Sequence, residues 1–150
     1  MREALRLAED GVRSGRGGPF GCVIVHRGAI VGRGQNRVTS TNDPTAHAEI
    51  VALRDAARSL GRFHLGDCEL YTSCEPCPMC LAAIYWAHLP TVYYGNTRAD
   101  ARTIGFDDDD IHQQLLLPPA QRRLSMTRLL PAEAQAAFQA WAAKVDKVPY

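Results

Sequence analysis

The chemistry of this 150-residue chain is concentrated in His47-Ala48-Glu49 and in Pro76-Cys77-Pro78-Met79-Cys80. One imidazole and two thiols are nitrogen and sulfur donors of the kind zinc prefers. Three such donors leave the fourth corner of a tetrahedral ion open to water, which makes a site catalytic rather than structural. Zinc in that setting lowers the pKa of its water to about 7. Glu49, two residues from the imidazole, is close enough to take a proton from the water and pass it on. Such general acid–base work is typically worth about 10²–10⁴ in rate. One Zn2+ per chain is therefore expected, held by His47, Cys77 and Cys80, with Glu49 as the proton carrier.

Two plainer readings compete. Cys74 and Cys77 form a pair that overlaps Cys77 and Cys80, so Cys74 as a fourth ligand would close the site and abolish hydrolysis. Alternatively, Cys-x-x-Cys is a redox pair. Glu49 has no task in a structural zinc site, and a redox pair has no need of His47-Ala48-Glu49. A reading from another class, a catalytically silent zinc-folded subunit that works by binding a partner, is also disfavoured by the intact Glu49.

The elements that must position these groups follow from periodicity and punctuation. Leu5, Ala8 and Val12 share a helical face over residues 2–14, and Gly15 to Pro19 stops that helix. Residues 20–26 and 29–35 read as a hairpin turning at Arg27-Gly28. A polar loop runs from Asn36 to Thr45. Asp43-Pro44-Thr45 signals a helix start, and Ile50, Leu53, Ala57 and Leu60 continue one face to Gly61. His47 and Glu49 thus fall in a first turn. Residues 68–72 form a short strand.

Pro78 suits the first position of a helix over 78–88, so Cys77 and Cys80 lie at its start. There the helix dipole and free N–H groups favour thiolates, and the i, i+3 spacing aims both sulfurs one way. Leu81 to Ala87 carries no charge, which predicts a helix covered on every side. Residues 91–95 form a strand, 124–129 a weaker one, and Pro131 opens a last helix whose Phe138 and Trp141 are expected in the core. Helices alternating with strands imply an α/β layered fold in a single domain.

Composition limits the partners. Apolar content of 46% with 22% charged residues is that of an ordinary globular chain, and no apolar run reaches the ~20 residues of a membrane span. The opening residues do not read as a signal peptide. A formal charge of +1 gives no electrostatic case for a nucleic-acid backbone, and a small neutral substrate fits better. Five cysteines, three of them within seven residues, make a poor disulfide framework and point to a reducing, cytoplasmic setting. Cys22 and Cys68 read as inert strand residues.

Gly18-Pro19-Phe20-Gly21, Asn36, His47-Ala48-Glu49, Tyr71 through Cys80, Ile84 through Ala87 and Gly105-Phe106-Asp107-Asp108 resemble the cytidine deaminase superfamily. Their His-x-Glu and Pro-Cys-x-x-Cys signature is that of the zinc nucleobase deaminases. Within the superfamily the chain resembles the bacterial guanine deaminases. The resemblance implies a three-layer α/β/α fold with a five-stranded mixed sheet. It also implies a homodimer in which residues 146–150 exchange between subunits and help close the partner's site. The implied reaction is hydrolytic deamination of guanine at C2, giving xanthine and ammonia, with a purine base as the small-molecule partner and neither nucleic acid nor membrane as another.

In that scheme Asn36 hydrogen-bonds the purine, Phe20 lines the pocket and Asp108 grips the N–H edge of the base. Trp86 forms part of the wall, and Tyr150 arrives from the other chain. Residue by residue, other readings stay open. Asn36 is a common turn residue, Phe20 and Trp86 could be core, and Tyr150 could be a frayed end. Asp107 to Asp110 could be a solvated cap, and the register between Asp107 and Asp108 is open. Guanosine, cytosine, triazines and tRNA adenosine are the alternative substrates.

Overall fold

A computed structural model describes residues 1–149. The chain divides into two compact units, Met1–Asp108 and Asp109–Tyr150. No helix among the described residues is long and apolar enough to cross a membrane.

The first unit opens with α1 (Arg2–Arg13), which buries the small residues Ala4, Ala8 and Gly11. Its outer side carries Arg6, which bonds both Glu3 and Asp10. Strands β1 (Gly21–His26) and β2 (Ala29–Gln35) form the expected hairpin. Arg27 and Gly28 have φ of 49° and 79°, the pair of positive values that lets a two-residue turn follow the strand twist. A four-residue helix, α2 (Val38–Thr41), interrupts the loop that follows. Then come α3 (Ala48–Leu60), β3 (Cys68–Cys74), α4 (Pro78–Trp86), β4 (Thr91–Asn96) and α5 (Arg98–Thr103).

The sheet order is β2-β1-β3-β4. β1 runs antiparallel to β2 and to β3, while β3 and β4 are parallel and joined through α4. The sheet is thus mixed. Residues directly opposite one another share a face, so the register sorts the packing. Gly21 lies opposite Gln35. A Cβ on Gly21 would come within 2.2 Å of the Ala4 carbonyl oxygen, and Gln35 Nε2 donates to the Leu7 carbonyl at 2.6 Å; this face receives α1. Cys22 lies opposite Gly34 on one side and Thr72 on the other. A Cβ on Gly34 would sit 1.8 Å from the Ala48 carbonyl oxygen, so α3 rests directly on β2 because glycine is there. The core under α3 joins Cys22, Ile24, Ala52, Leu53, Leu70 and Ile84. Helix, sheet and helix make the three layers.

Several expectations are corrected. Among the described residues the sheet has four strands, not five. Residues 124–129 form no ladder, and Leu124 and Met126 are exposed. Alternating apolar residues suit a strand, but a ladder also needs a neighbouring strand to pair with, and here the exposed backbone can turn to water instead. The last α4 residue is Trp86 rather than 88, because His88 takes a left-handed φ of 59° and Pro90 follows. The helix is not covered all round in this chain either: Cys80 and Ile84 are buried, whereas Tyr85 is 72% and Trp86 65% exposed. Asp43 does not start α3. Its carboxylate accepts from the Thr45 backbone at 2.8 Å and hydroxyl at 2.6 Å, closing a turn ahead of the helix.

The second unit holds α6 (Asp109–Leu116), a 3₁₀ turn (Pro119–Gln121) and α7 (Pro131–Ala143). Arg123 ties it together, pairing with Asp110 at 2.5 Å and donating its backbone N–H to Gln114 Oε1 at 2.7 Å. The apolar stripe of α7 is present but is not core within the chain: Phe138 is 72% and Trp141 46% exposed.

Candidate metal and active site

Two helix starts converge. His47 is the N-cap of α3 and Cys77 the N-cap of α4, both in extended backbone conformation. Pro78 occupies the first turn of α4, where its missing N–H costs nothing. Cys80 follows three residues after Cys77, and the two sulfurs approach the imidazole from one side. His47 Nδ1 lies 3.5 Å from Cys77 Sγ and 3.6 Å from Cys80 Sγ. A zinc–sulfur bond of ~2.3 Å and a zinc–nitrogen bond of ~2.0 Å at the tetrahedral angle place nitrogen and sulfur about 3.6 Å apart. The ligand atoms of His47, Cys77 and Cys80 all lie within 4.8 Å of one another. The donor types and the spacing both fit zinc.

Cys74 goes elsewhere. It ends β3, is buried, and its Sγ contacts the Thr97 carbonyl oxygen at 3.6 Å. Among the described residues the metal-capable group has three members.

Glu49 is in the first turn of α3 and is 5% exposed. Its Oε1 accepts from Thr72 Oγ1 at 3.0 Å, and its Oε2 accepts from Cys80 Sγ at 3.4 Å. The carboxylate therefore touches one of the sulfurs without belonging to the metal-capable group. Burial pushes the Glu49 carboxyl above the ordinary range. The Cys77 thiol is drawn down to about 4, first by the hydrogen bond from Cys80 and then by His47. Cys80 moves the opposite way, because it donates to that thiolate and is buried beside Glu49. His47 is raised by its contact with Cys77. By themselves, the crowded sulfurs ionise one at a time. A divalent cation between them is what allows both to be thiolates.

A loop system flanks this cluster. Asn36 Oδ1 accepts from the backbone N–H groups of Gly18 and Val38, both at 3.3 Å. Its own backbone N–H donates to the Phe20 carbonyl at 3.0 Å. The oxygen is committed to the backbone, so the carboxamide NH2 is turned the other way as a donor. Arg37 N–H bonds the Ala46 carbonyl at 2.9 Å, which fastens this loop beside His47. Phe20 meets Phe106 edge-on at 4.8 Å between ring centroids, with Gly18 beneath both rings.

The structure brings together His47, Cys77, Cys80 and Glu49, and separately links Asn36 with Phe20. Asp108 is half-buried, two residues beyond Phe106, whereas Asp107 pairs with Arg102 at 3.2 Å. Trp86 ends α4 about 9 Å along the helix axis from Cys80 and is mostly exposed. Tyr150 lies outside the described residues. Two residues escaped the sequence reading. Thr72, buried on β3, is revealed only by its contact with Glu49. Phe106 sits within the Gly105–Asp108 segment, but its partnership with Phe20 spans more than eighty residues.

Residues 1–96 match the cytidine and deoxycytidylate deaminase zinc-binding region. Guanine deaminase of Bacillus subtilis is 49% identical over 150 residues, covering 100% of this chain and 96% of that protein. Its X-ray structure superposes with a TM-score of 0.95 over 99% of this chain and 95% of that one. A guanine deaminase structure from Nitrosomonas europaea has a TM-score of 0.67 at 34% identity, covering 70% of this chain and 61% of that one. The tRNA-specific adenosine deaminase of Agrobacterium fabrum is 46% identical over 77 residues, 51% of each protein. With the family region spanning both helix starts and a relative matched from end to end, the chain belongs to the zinc-binding cytidine and deoxycytidylate deaminase family, and Zn2+ is its metal.

Proposed function

We propose that this protein is a guanine deaminase, converting guanine and water to xanthine and ammonia. The observation that carries the reading is the buried Glu49 carboxylate 3.4 Å from Cys80, beside a three-donor zinc cluster, in a chain that matches a guanine deaminase along its whole length. The resemblance to tRNA deaminases covers about half to two thirds of the chain rather than all of it, and supports nucleic-acid substrates less.

His47, Cys77 and Cys80 hold the ion. Bound by three protein donors, zinc supplies a water acidic enough to be a nucleophile at neutral pH. Glu49 takes the proton this water gives up as it adds to C2 of the purine. It delivers that proton to a ring nitrogen, then assists protonation of the exocyclic amine, which leaves as ammonia. A carboxylate whose pKa is raised by burial accepts a proton more readily than one at its ordinary value, and the carboxylic acid it becomes can pass that proton on. Asn36 donates from its NH2 group to the base, since its oxygen is spent on Gly18 and Val38. Phe20, backed by Phe106, supplies the apolar wall. Asp108 accepts from the N–H edge of guanine, and a wrong ring leaves that carboxylate without a donor, which is a strong means of rejection. Trp86 forms part of the pocket wall on this reading, and Tyr150 arrives from the other chain.

The working unit is a homodimer with residues 146–150 exchanged. The reading is supported by the exposed apolar side chains of Tyr85, Trp86, Phe138 and Trp141, which a single chain does not cover. The five cysteines, all free, suit the cytoplasm.

The test is product analysis. Purified zinc-loaded protein is given guanine, guanosine, adenine, cytosine and tRNA in parallel. Equal amounts of xanthine and ammonia from guanine, at a kcat/KM well above the others, support the proposal. A preference for any other member of the panel overturns it.

A further inference from the structure

Glu49 reaches the site on three rotatable side-chain bonds, yet a proton carrier must present one oxygen in one place. The structure shows what constrains it. Thr72 is fully buried on β3, on the face that receives α3, and its hydroxyl donates to Glu49 Oε1 at 3.0 Å. Threonine is β-branched and stiff about its first side-chain bond, and β3 is flanked by β1 and β4, so this hydroxyl is a fixed point. The other oxygen, Oε2, faces Cys80 at 3.4 Å. A thiol that binds zinc gives up its proton, and Cys80 then has nothing to donate to Oε2. The Thr72 bond does not depend on the metal.

We propose that Thr72 is a positioning residue: its hydroxyl ties down Oε1 of Glu49, so that Oε2 alone is presented to the reacting water and substrate. The inference rests on Glu49 being the proton carrier. A one-ångström misplacement of a catalytic group is able to cost about 10²-fold.

The informative pair is Thr72→Ser against Thr72→Ala, which differ in the hydroxyl alone, with Thr72→Val as the isosteric variant. Zinc content and Tm are measured on each, with kcat and KM for guanine. Thr72→Ala and Thr72→Val should lose about 10- to 100-fold in kcat with KM within about twofold, and keep one zinc per chain. Thr72→Ser should return to within about threefold of wild type. A second readout does not use turnover. The Glu49 carboxylate stretching band, identified by its loss in Glu49→Gln, should shift in the zinc-loaded Thr72→Ala protein and return in Thr72→Ser. If Thr72→Val fails to fold, the Ser and Ala pair still decides.

Unchanged kcat and an unmoved band in Thr72→Ala would overturn the role of Thr72 and leave the proposed activity standing. Equal loss in the Ser and Ala variants would also overturn it, because the hydroxyl would then not matter. A wild-type protein inert on guanine would remove the functional reading and this inference together.

Discussion

Cys80 Sγ lies 3.4 Å from Glu49 Oε2, so a candidate zinc ligand and the candidate proton carrier touch, although they stand on different helices thirty-one residues apart. That contact places the Glu49 carboxylate beside the metal-capable group of His47, Cys77 and Cys80.

The ligand set predicts a division among the cysteines. Cys77→Ser and Cys80→Ser should each lose most bound zinc on purification and lower Tm, because metal binding to the folded state stabilises it. Cys74→Ser should keep one zinc per chain and most activity. Metal analysis by atomic emission decides this, and loss of zinc from the Cys74 variant would mean that the ligands are misassigned.

The seat of α3 predicts a sensitive glycine. A Cβ at Gly34 meets the Ala48 carbonyl oxygen at 1.8 Å, and backbone cannot turn aside as a side-chain end does. Overpacking typically costs about 1–3 kcal/mol and sometimes more, so Gly34→Ala should reach or exceed about 3 kcal/mol, a fall in Tm of roughly 6–12 °C. Ala48 stands between His47 and Glu49, so zinc affinity should weaken as well. A variant as stable as wild type would show that α3 does not rest on the sheet as described.

Much of this arrangement is legible in the sequence because it is local. His47 and Glu49 lie at a helix start, and Cys77 with Pro78 at another, so spacing alone aims them. The Arg27-Gly28 turn is set by backbone preferences within four residues. What the sequence hides is non-local. The alternation at 124–129 gives no sign that a partner strand is lacking, and the period of α7 shows an apolar face at Phe138 and Trp141 without saying what covers it. Thr72 looks like any strand threonine until α3 is folded over it. The short helices α2, α5 and α6 are too brief to show a period. Asp100 and Thr97 do carry the reciprocal capping pattern of α5, a signal that was available.

Away from the site, Asp67 gives a small pH-dependent contribution to stability. Arg62 holds its carboxyl down at about 2, against an ordinary value near 3.8. A folded-state pKa below the unfolded one contributes stability that is complete above about pH 4 and is lost as pH falls through about 2. Asp67→Asn should therefore be less stable than wild type at neutral pH, and the gap should close toward about pH 2. Urea midpoints across that range check the sign. A gap that widens on acidification would contradict it.

Removing residues 147–150 tests the exchanged tail. The truncated protein should keep its zinc and its Tm to within a few degrees but lose most guanine turnover. Full activity would take the tail, and Tyr150 with it, out of the site.

The central claim is that Glu49 moves protons beside a zinc ion it does not bind. Its most direct test is Glu49→Gln, loaded to one zinc per chain and assayed for xanthine release from guanine. The expected outcome is retained metal and guanine binding with kcat lowered by about 10²–10⁴. A zinc-loaded Glu49→Gln protein that turns over guanine at the wild-type rate would contradict the account.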